Sequence, residues 1–300
     1  MGVELQPTPS SSVLVVVGSA GINPWLEIEQ RGQERLICEN ARIIQDHIWI
    51  GANPNFVYSA KHHVLIGLAK LQMWHYPGAG KYFVVLRGLL VEILKCFPIQ
   101  LAMRMVFLNS GKKPLGTRAG NRVELDLPTP MFVAGHRTMR AFKWALHNSD
   151  FDYLVRITST CLINEPTLMR FVETLPRNRV YAGQESSSFG SNSFMSGAAL
   201  VLSRDVVAGI VAHQHKYRFD MYEDVALGRL ISEFDIADLI PMDRLDLPTV
   251  SLAELVPFDE LANAPVIRCK AESVTESSEP VLRIFKVVAN RLGWDPSRVR

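Results

Sequence analysis

The sequence has little cysteine and no arrangement of it. Cys38, Cys96, Cys161 and Cys269 are its four cysteines, scattered through apolar stretches without paired spacing. A disulfide framework or a cysteine zinc site is therefore disfavoured, and free thiols of a reducing compartment are expected. An excess of charge is missing as well. The 32 basic and 30 acidic residues leave a net charge of +2, too little for a general attraction to nucleic acid. Anion binding must then come from locally placed Arg, Lys and backbone amides. "MGVELQPTPSSS" lacks the basic start and apolar run of a secretory signal, and "VLVVVG" is far too short to span a bilayer. The expected location is the cytoplasm. Two catalytic spacings are absent too. Gly18 and Gly21 do not make the G-x-G-x-x-G dinucleotide fingerprint, which disfavours a nicotinamide enzyme. Ser196 and Ser203 lie outside any G-x-S-x-G elbow, which disfavours a serine hydrolase.

What is present is a globular balance, 48% hydrophobic and 21% charged in 300 residues, with strand and helix patterns in alternation. Val13 to Val17 reads as a buried strand of parallel type that runs into a small-residue loop. "PWLEIEQRGQERLI" reads as a helix with Pro24 at its start, and "DHIWIGA" as the second strand. The most apolar region, Ser59 to Leu101, carries two helical patterns split at Pro77 to Gly80. Core helices are one reading of it and a face touching lipid is the other. "MRMVFLN" is a strand, "VELDLP" an extended piece, and "PMFVAGHRTMRAFKWALHNS" a helix that buries Met139, Phe142 and Leu146. Further on come the strand "YLVRI", the helix "NEPTLMRFVETLP" with Asn164 as cap and Pro166 in its first turn, and the strand "RVYAG". "GAALVLS", the helix "RDVVAGIVAHQHK" and a helix from "YEDVALGRLI" follow. "IADLIPM", "PVIRCK", the polar linker "AESVTESSEP" and the helix "VLRIFKVVANRLG" complete the chain. The expected division is a disordered tail over 1–12, one α/β domain over 13–270, and a linker with a last helix over 271–300.

Several polar groups stand out against this frame. "DFD", Asp150 to Asp152, has the look of a metal motif but precedes its strand, whereas ligands of open α/β sheets gather beyond the carboxyl ends of the strands. Thr158, Ser159 and Thr160 follow the same strand at that favoured end and carry hydroxyls only. Asp220 and Glu223 have the spacing of a capping box, which leaves Asp224 unaccounted for. Glu223 and Asp224 are not a glycosidase pair, because neighbours on a helix diverge by about 100°. Arg268 and Lys270 alternate along one side of an extended segment, as a diphosphate clamp or as a solvated edge strand. His213 and His215 lie late in a helix, where a charge partner for the helix terminus is one use.

The order "VELDLP", "GHRTMRAFKWAL", "YLVRITSTCLIN", "FMSGAALVLSRD", "YEDVALG" resembles the β-1,3-galactosyltransferase and Fringe family of GT-A glycosyltransferases, from about Val123 to Ile231. That family has an extended acidic piece and a helix with Lys-Thr. A strand ending in an Asp-rich metal motif and a Ser-Gly segment leading to "LS" come next, and then Glu-Asp-Val near a glycine. The resemblance implies a GT-A-like twisted, mainly parallel sheet flanked by helices. It implies inverting transfer of a sugar from a nucleotide-sugar, a UDP-sugar in the family, to an acceptor hydroxyl.

By the same resemblance Asp224 takes the place of the base. An aspartate of reference pKa about 3.9 is ionised at neutral pH and needs no unusual tuning for that role. Thr158, Ser159 and Thr160 stand where the family holds its metal, and uncharged hydroxyls are weak ligands for a divalent cation. The expectation is thus a site without a cofactor, in which Arg268, Lys270, His215 and Arg137 are the cations available to a diphosphate. Ser196 and Gly197 are expected to let the sugar approach the backbone, with Glu223 beside them. A manganese-type ion held by carboxylates from elsewhere is the competing expectation. Expected partners are the nucleotide-sugar donor and a glycan, lipid-linked or small-molecule acceptor, with peripheral membrane contact and no nucleic acid. The alternative is a degenerate member that binds a nucleotide-sugar or glycan without turning it over.

Overall fold

The computed structural model describes residues 11–19, 23–40, 46–52, 117–119, 122–125, 134–186, 193–218 and 221–299. The tail over 1–10, the apolar region from Ser59 to Leu101, the strand "MRMVFLN" and Asp220 lie outside the described residues.

The run Val13 to Val17 forms the strand β1 (Val13–Ser19) and the run "YLVRIT" forms β5 (Tyr153–Thr158). Both are buried on their two faces: Leu14, Val16 and Leu154 enter one core, and Val15, Val17, Tyr153, Val155 and Ile157 enter another. Continuous β-branched sequence is what a strand covered on both sides requires. Around them β2 (Asp46–Ala52), β3 (Thr117–Ala119), β4 (Arg122–Leu125), β7 (Val180–Ser186), β8 (Phe194–Ser203) and β9 (Asp238–Pro241) make one sheet. Its order is β3-β4-β2-β1-β5-β8-β7-β9. Among these strands only β8 and the edge strand β3 run against the rest. The α/β fold expected from the alternating pattern, and the mainly parallel sheet that the resemblance implies, are therefore formed.

Helices cover both faces. On one lie α3 (Ala134–Asn148), α5 (Arg204–Ala212) and α6 (Glu223–Glu233), with Met139 and Phe142 buried and Leu146 packed at the margin. On the other lies α4 (Glu165–Glu173), whose Leu168, Met169 and Val172 are buried. Pro166 stands in its first turn as expected. Asn164 stands at the N-cap position as expected, but its side chain caps no helix amide and donates instead to the carbonyl of Ala262 at 2.6 Å.

The helix expected from Pro24 is not continuous. It divides into α1 (Trp25–Ile28), a π turn (Glu29–Gln33) and α2 (Glu34–Asn40). No local propensity announces this turn; tertiary packing does. Gly32 lies against α9 (Glu279–Arg291), so closely that a Cβ there would meet Phe285 at 2.6 Å and Leu282 at 2.9 Å. Phe285 and Leu282 belong to a third core that also takes in Ile28, Leu36, Leu162 and Ile267. The last helix is thus built into the body of the molecule. The preceding linker holds a 3-10 turn (Glu272–Thr275). The same core carries a small second sheet of β10 (Arg244–Asp246), β11 (Val266–Arg268) and β6 (Cys161–Ile163), in which Arg268 is paired with Cys161. α7 (Val250–Leu255) and α8 (Phe258–Asn263) connect β10 to β11.

The close approach of α6 to β8 is set at Gly228, where a Cβ would stand 2.4 Å from the Phe194 Cβ. Backbone lies just behind that contact, so the neighbour has little room to yield. Gly228→Ala is expected to lower unfolding free energy by about 1–3 kcal/mol through overpacking. Urea unfolding measures this, and an unchanged midpoint would contradict the contact.

Candidate active site

The carboxyl ends of β1 and β5 meet at one edge of the sheet, where Gly18 stands beside Thr158. Because β8 runs the other way, with Ala199 opposite Ile157, its third and fourth residues, Ser196 and Gly197, reach the same edge. α6 starts there as well, so its first turn and positive dipole end face this edge.

The organising side chain is Arg156. It points to the same face of β5 as Leu154, toward α3 and α6, and is 7% exposed. A charge this deep needs a partner. Its Nη2 donates to Glu223 Oε2 at 2.6 Å. The other oxygen of Glu223 accepts from Thr138 Oγ1 on α3, and its main-chain carbonyl accepts from the Tyr217 hydroxyl at 3.1 Å. This corrects the capping-box expectation. Glu223 is the first residue of α6, Tyr222 stands at the N-cap position without a side-chain cap, and both oxygens of Glu223 are committed to Arg156 on β5 and Thr138 on α3. Burial of a strand arginine outweighs the local cap.

Asp224 is left with its carboxylate at the edge. Oδ2 accepts from the Gly197 amide at 3.1 Å and Oδ1 from the Val225 amide at 3.0 Å. Gly197 permits this arrangement. A Cβ there would stand 3.2 Å from the Asp224 Cβ, 3.3 Å from Arg156 Nη1 and 3.4 Å from Asp224 Oδ2. Tyr217 and Tyr181 lie behind the carboxylates. Burial first, and the charges of Glu223 and Asp224 in addition, push both phenols up, so they stay neutral.

A second cluster adjoins Ser196. Arg244, on β10, donates through Nη1 to Ser196 Oγ at 2.9 Å and grips Asp246 through Nε and Nη2 at 2.7 and 2.8 Å. Arg268 Nη1 stands 3.6 Å from Asp246. Pairing of β11 with β6 carries Arg268 to the loop after β5, where the Cys269 amide donates to the Thr160 carbonyl at 2.8 Å. Lys270 follows at the exposed surface. Its ammonium is lowered from the usual lysine range, by the protein around it first and by Arg268 second.

The loop itself is closed. Thr158 Oγ1 and Thr160 Oγ1 share a contact at 3.3 Å, and Ser159 and Thr160 are buried, so only Thr158 is partly open. Gln33, from the π turn, donates to the carbonyls of Thr158 at 2.7 Å and Cys161 at 2.6 Å. A hydroxyl-only set in this state does not fit a divalent cation. Among the described residues no three of His, Cys, Asp and Glu gather as they would to hold a metal. Cys161 is buried and its thiol is pushed up by that burial.

Other sequence candidates lie elsewhere. Asp152 accepts from the Ser12 amide at 2.8 Å and pairs with Arg177 at 3.1 Å, while Asp150 stands 3.5 Å from Arg204. Both are at the amino end of β5, away from the site. His215 is also apart: it stacks at 6.4 Å on His213, whose ring packs on Phe234 just past the far end of α6. Arg137 precedes Thr138 on α3, and it is the threonine that reaches Glu223. Sequence reasoning passed over Arg156, Thr138, Gln33, Arg244 and Asp246. The arginine inside "YLVRI" was a usable signal, since a charge within an apolar strand demands a partner. For Arg244 there was none.

No protein-family model matches the chain, and no curated protein matches it. Among solved structures it is similar to the apo structure of WbbM, a bifunctional glycosyltransferase. That match has 11% identity and a TM-score of 0.42 and covers 95% of this chain and 51% of that one. The chain thus spans about half the length of that structure. It is also similar to the galactosyltransferase LgtC in complex with donor and acceptor sugar analogues, at 10% identity and a TM-score of 0.38 over 93% of this chain and 95% of that one. Both likenesses are distant, and the function of this chain has to be argued from its own residues.

Removing one partner of the buried pair leaves an uncompensated charge. Glu223→Ala is expected to cost about 3–5 kcal/mol, and less in the Arg156→Met background. Chemical denaturation of the two single variants and the double variant measures it; additive losses would contradict the pairing.

Proposed function

We propose that this chain is an inverting glycosyltransferase of GT-A-like fold that moves a sugar from a nucleotide-sugar, most simply a UDP-sugar, to an acceptor hydroxyl. The observation that carries this reading is the division of labour between two adjacent carboxylates. Glu223 has both oxygens occupied by Arg156 and Thr138. Among the described residues Asp224 is held by main-chain amides, at the edge where substrates of such sheets gather.

In the proposed reaction the acceptor oxygen attacks the anomeric carbon from the face opposite the diphosphate. Asp224 takes the hydroxyl proton, and the nucleoside diphosphate leaves with the electron pair of the broken bond. Ser196 and Gly197 line the approach of the sugar. Arg268 and Lys270 meet the charge that develops on the leaving group, as guanidinium and ammonium groups do without a metal. No step runs through a cation, because the loop after β5 offers no carboxylate to hold one. The acceptor class stays open among glycan, lipid-linked and small-molecule hydroxyls. Among the described residues no helix is long and apolar enough to cross a membrane.

The second reading, binding without turnover, draws on the closed hydroxyl loop. The two part at Asp224→Asn. Hydrolysis of UDP-glucose, UDP-galactose and UDP-N-acetylglucosamine, followed by UDP release, is expected to fall at least about 100-fold in that variant while UDP still binds. Parent activity is expected to survive EDTA. Equal hydrolysis by variant and parent would remove Asp224 as base, and donor binding without any hydrolysis by the parent favours the second reading.

A further inference from the structure

Arg244 has every guanidinium nitrogen engaged. Its side chain is 4% exposed; Nε and Nη2 donate to the two oxygens of Asp246 at 2.7 and 2.8 Å, and Nη1 donates to Ser196 Oγ at 2.9 Å. An ordinary ion pair on a strand surface leaves its guanidinium in water, whereas this one is buried against β8. The fork fixes the plane of the carboxylate and also the chemistry that its two neighbours have left over. Arginine only donates, so Ser196 is the acceptor in that contact. Its hydroxyl hydrogen is left to donate elsewhere and has no other partner among the described residues. A carboxylate only accepts, and Asp246, with 44% of its side chain exposed, keeps lone pairs on the side away from Arg244. One guanidinium thus sets a hydroxyl donor and a carboxylate acceptor side by side. Arg268, next to Asp246 in register on β11, is not spent in this way. Its Nη1 stands 3.6 Å from Asp246, beyond a hydrogen bond, and its Nε has no partner among the described residues.

We infer that Asp246 and Ser196 form the subsite that reads the transferred sugar, Asp246 accepting from one of its hydroxyls and Ser196 donating to a neighbouring oxygen. The inference rests on the reading of this edge as a nucleotide-sugar site, and it names the part of the donor that this corner selects. A sugar hydroxyl both gives and takes a hydrogen bond, so a pair of hydroxyls satisfies both groups. A phosphate takes hydrogen bonds only; it satisfies Ser196 but meets the like charge of Asp246. The subsite thus selects the neutral part of the donor, and the diphosphate falls to Arg268. Sugar and leaving oxygen are joined in the donor, and the order Ser196, Arg244, Asp246, Arg268 sets their two kinds of partner next to each other.

The test is a cycle between protein and ligand, read by calorimetry on the full chain. The ligands are UDP, UDP-glucose, UDP-galactose and UDP-N-acetylglucosamine, with the deoxyfluoro analogues of the sugar that binds best, in which one hydroxyl at a time is replaced by a fluorine that cannot donate. The parent is expected to bind that UDP-sugar at least about 10-fold more tightly than UDP and to lose the gain with one of the analogues. In Asp246→Ala the hydroxyl and fluorine forms are expected to bind alike, since the group that told them apart is gone. A merely structural Asp246 would weaken both forms together and keep the difference, and a kept difference overturns the inference. So does a parent that binds UDP and gains nothing from the sugar. Should Asp246→Ala fail to fold, Ser196→Ala decides: it is expected to lose part of the gain from the sugar while UDP still binds, and an unchanged gain overturns the inference. A parent that binds neither UDP nor any of the UDP-sugars strikes the UDP-sugar reading itself. The subsite is then read with free glucose, galactose and N-acetylglucosamine by saturation-transfer NMR. Transfer in the parent that either variant abolishes upholds the inference, and no transfer, or equal transfer in parent and variant, overturns it.

Discussion

A guanidinium buried in the middle of a sheet must be neutralised, and the 2.6 Å contact between Arg156 and Glu223 does this while joining β5 to the first turn of α6. The rest of the site follows from that constraint. With Glu223 turned inward to Arg156 and Thr138, the next residue is rotated by about 100° around the helix, which presents Asp224 to the start of β8. Glycines make the approach feasible at two levels. Gly228 lets α6 rest on Phe194, and Gly197 leaves room for Asp224 and Arg156 on one side of the strand. The helix dipole adds to the preference for a carboxylate at this place, though by less than the ion pair.

A second constraint comes from the small sheet. The antiparallel pairing of β11 with β6 brings Arg268, distant in sequence, to the loop after β5, and β10 adds Arg244 beside it. The π turn reinforces the same loop from the other direction, with Gln33 holding two of its carbonyls. A loop tied down in this way suits the proposed site, in which cations and hydroxyls rather than a metal would hold a diphosphate. The position of α9 belongs to this arrangement, since Phe285 and Leu282 press on the π turn that carries Gln33.

Much of the fold was legible because its signals are local. The β-branched runs of β1 and β5, the apolar face of α3, the proline that opens α4 and the alternation of strand and helix each act within a few residues. Motif order put Asp224 and Gly197 in one candidate site, and the structure brings the two into contact; Asp150 and Asp152 lie before β5, where their place in the sequence put them. What could not be read depends on register and packing across the chain. The spacing of Asp220 and Glu223 suggested a local cap, and a buried arginine sixty-seven residues away claimed Glu223 instead. His215 shares a helical segment with plausible cations but is carried away by the stacking of His213 on Phe234. Arg244 becomes part of the site only because β10 pairs with β11, and no property of "MDRLDLP" encodes that partner. The π turn is hidden for a like reason: the chain around Gly32 has ordinary helical character until Phe285 packs on it.

The account rests most directly on a nucleotide diphosphate being held here by side chains alone. Calorimetric titration of the chain with UDP, GDP, ADP, CDP and dTDP, each with and without manganese, tests that claim. Binding of one of these diphosphates, UDP first, with an affinity that manganese leaves unchanged is the predicted result. Binding that appears only with manganese, or no binding of any member of the panel, would contradict it.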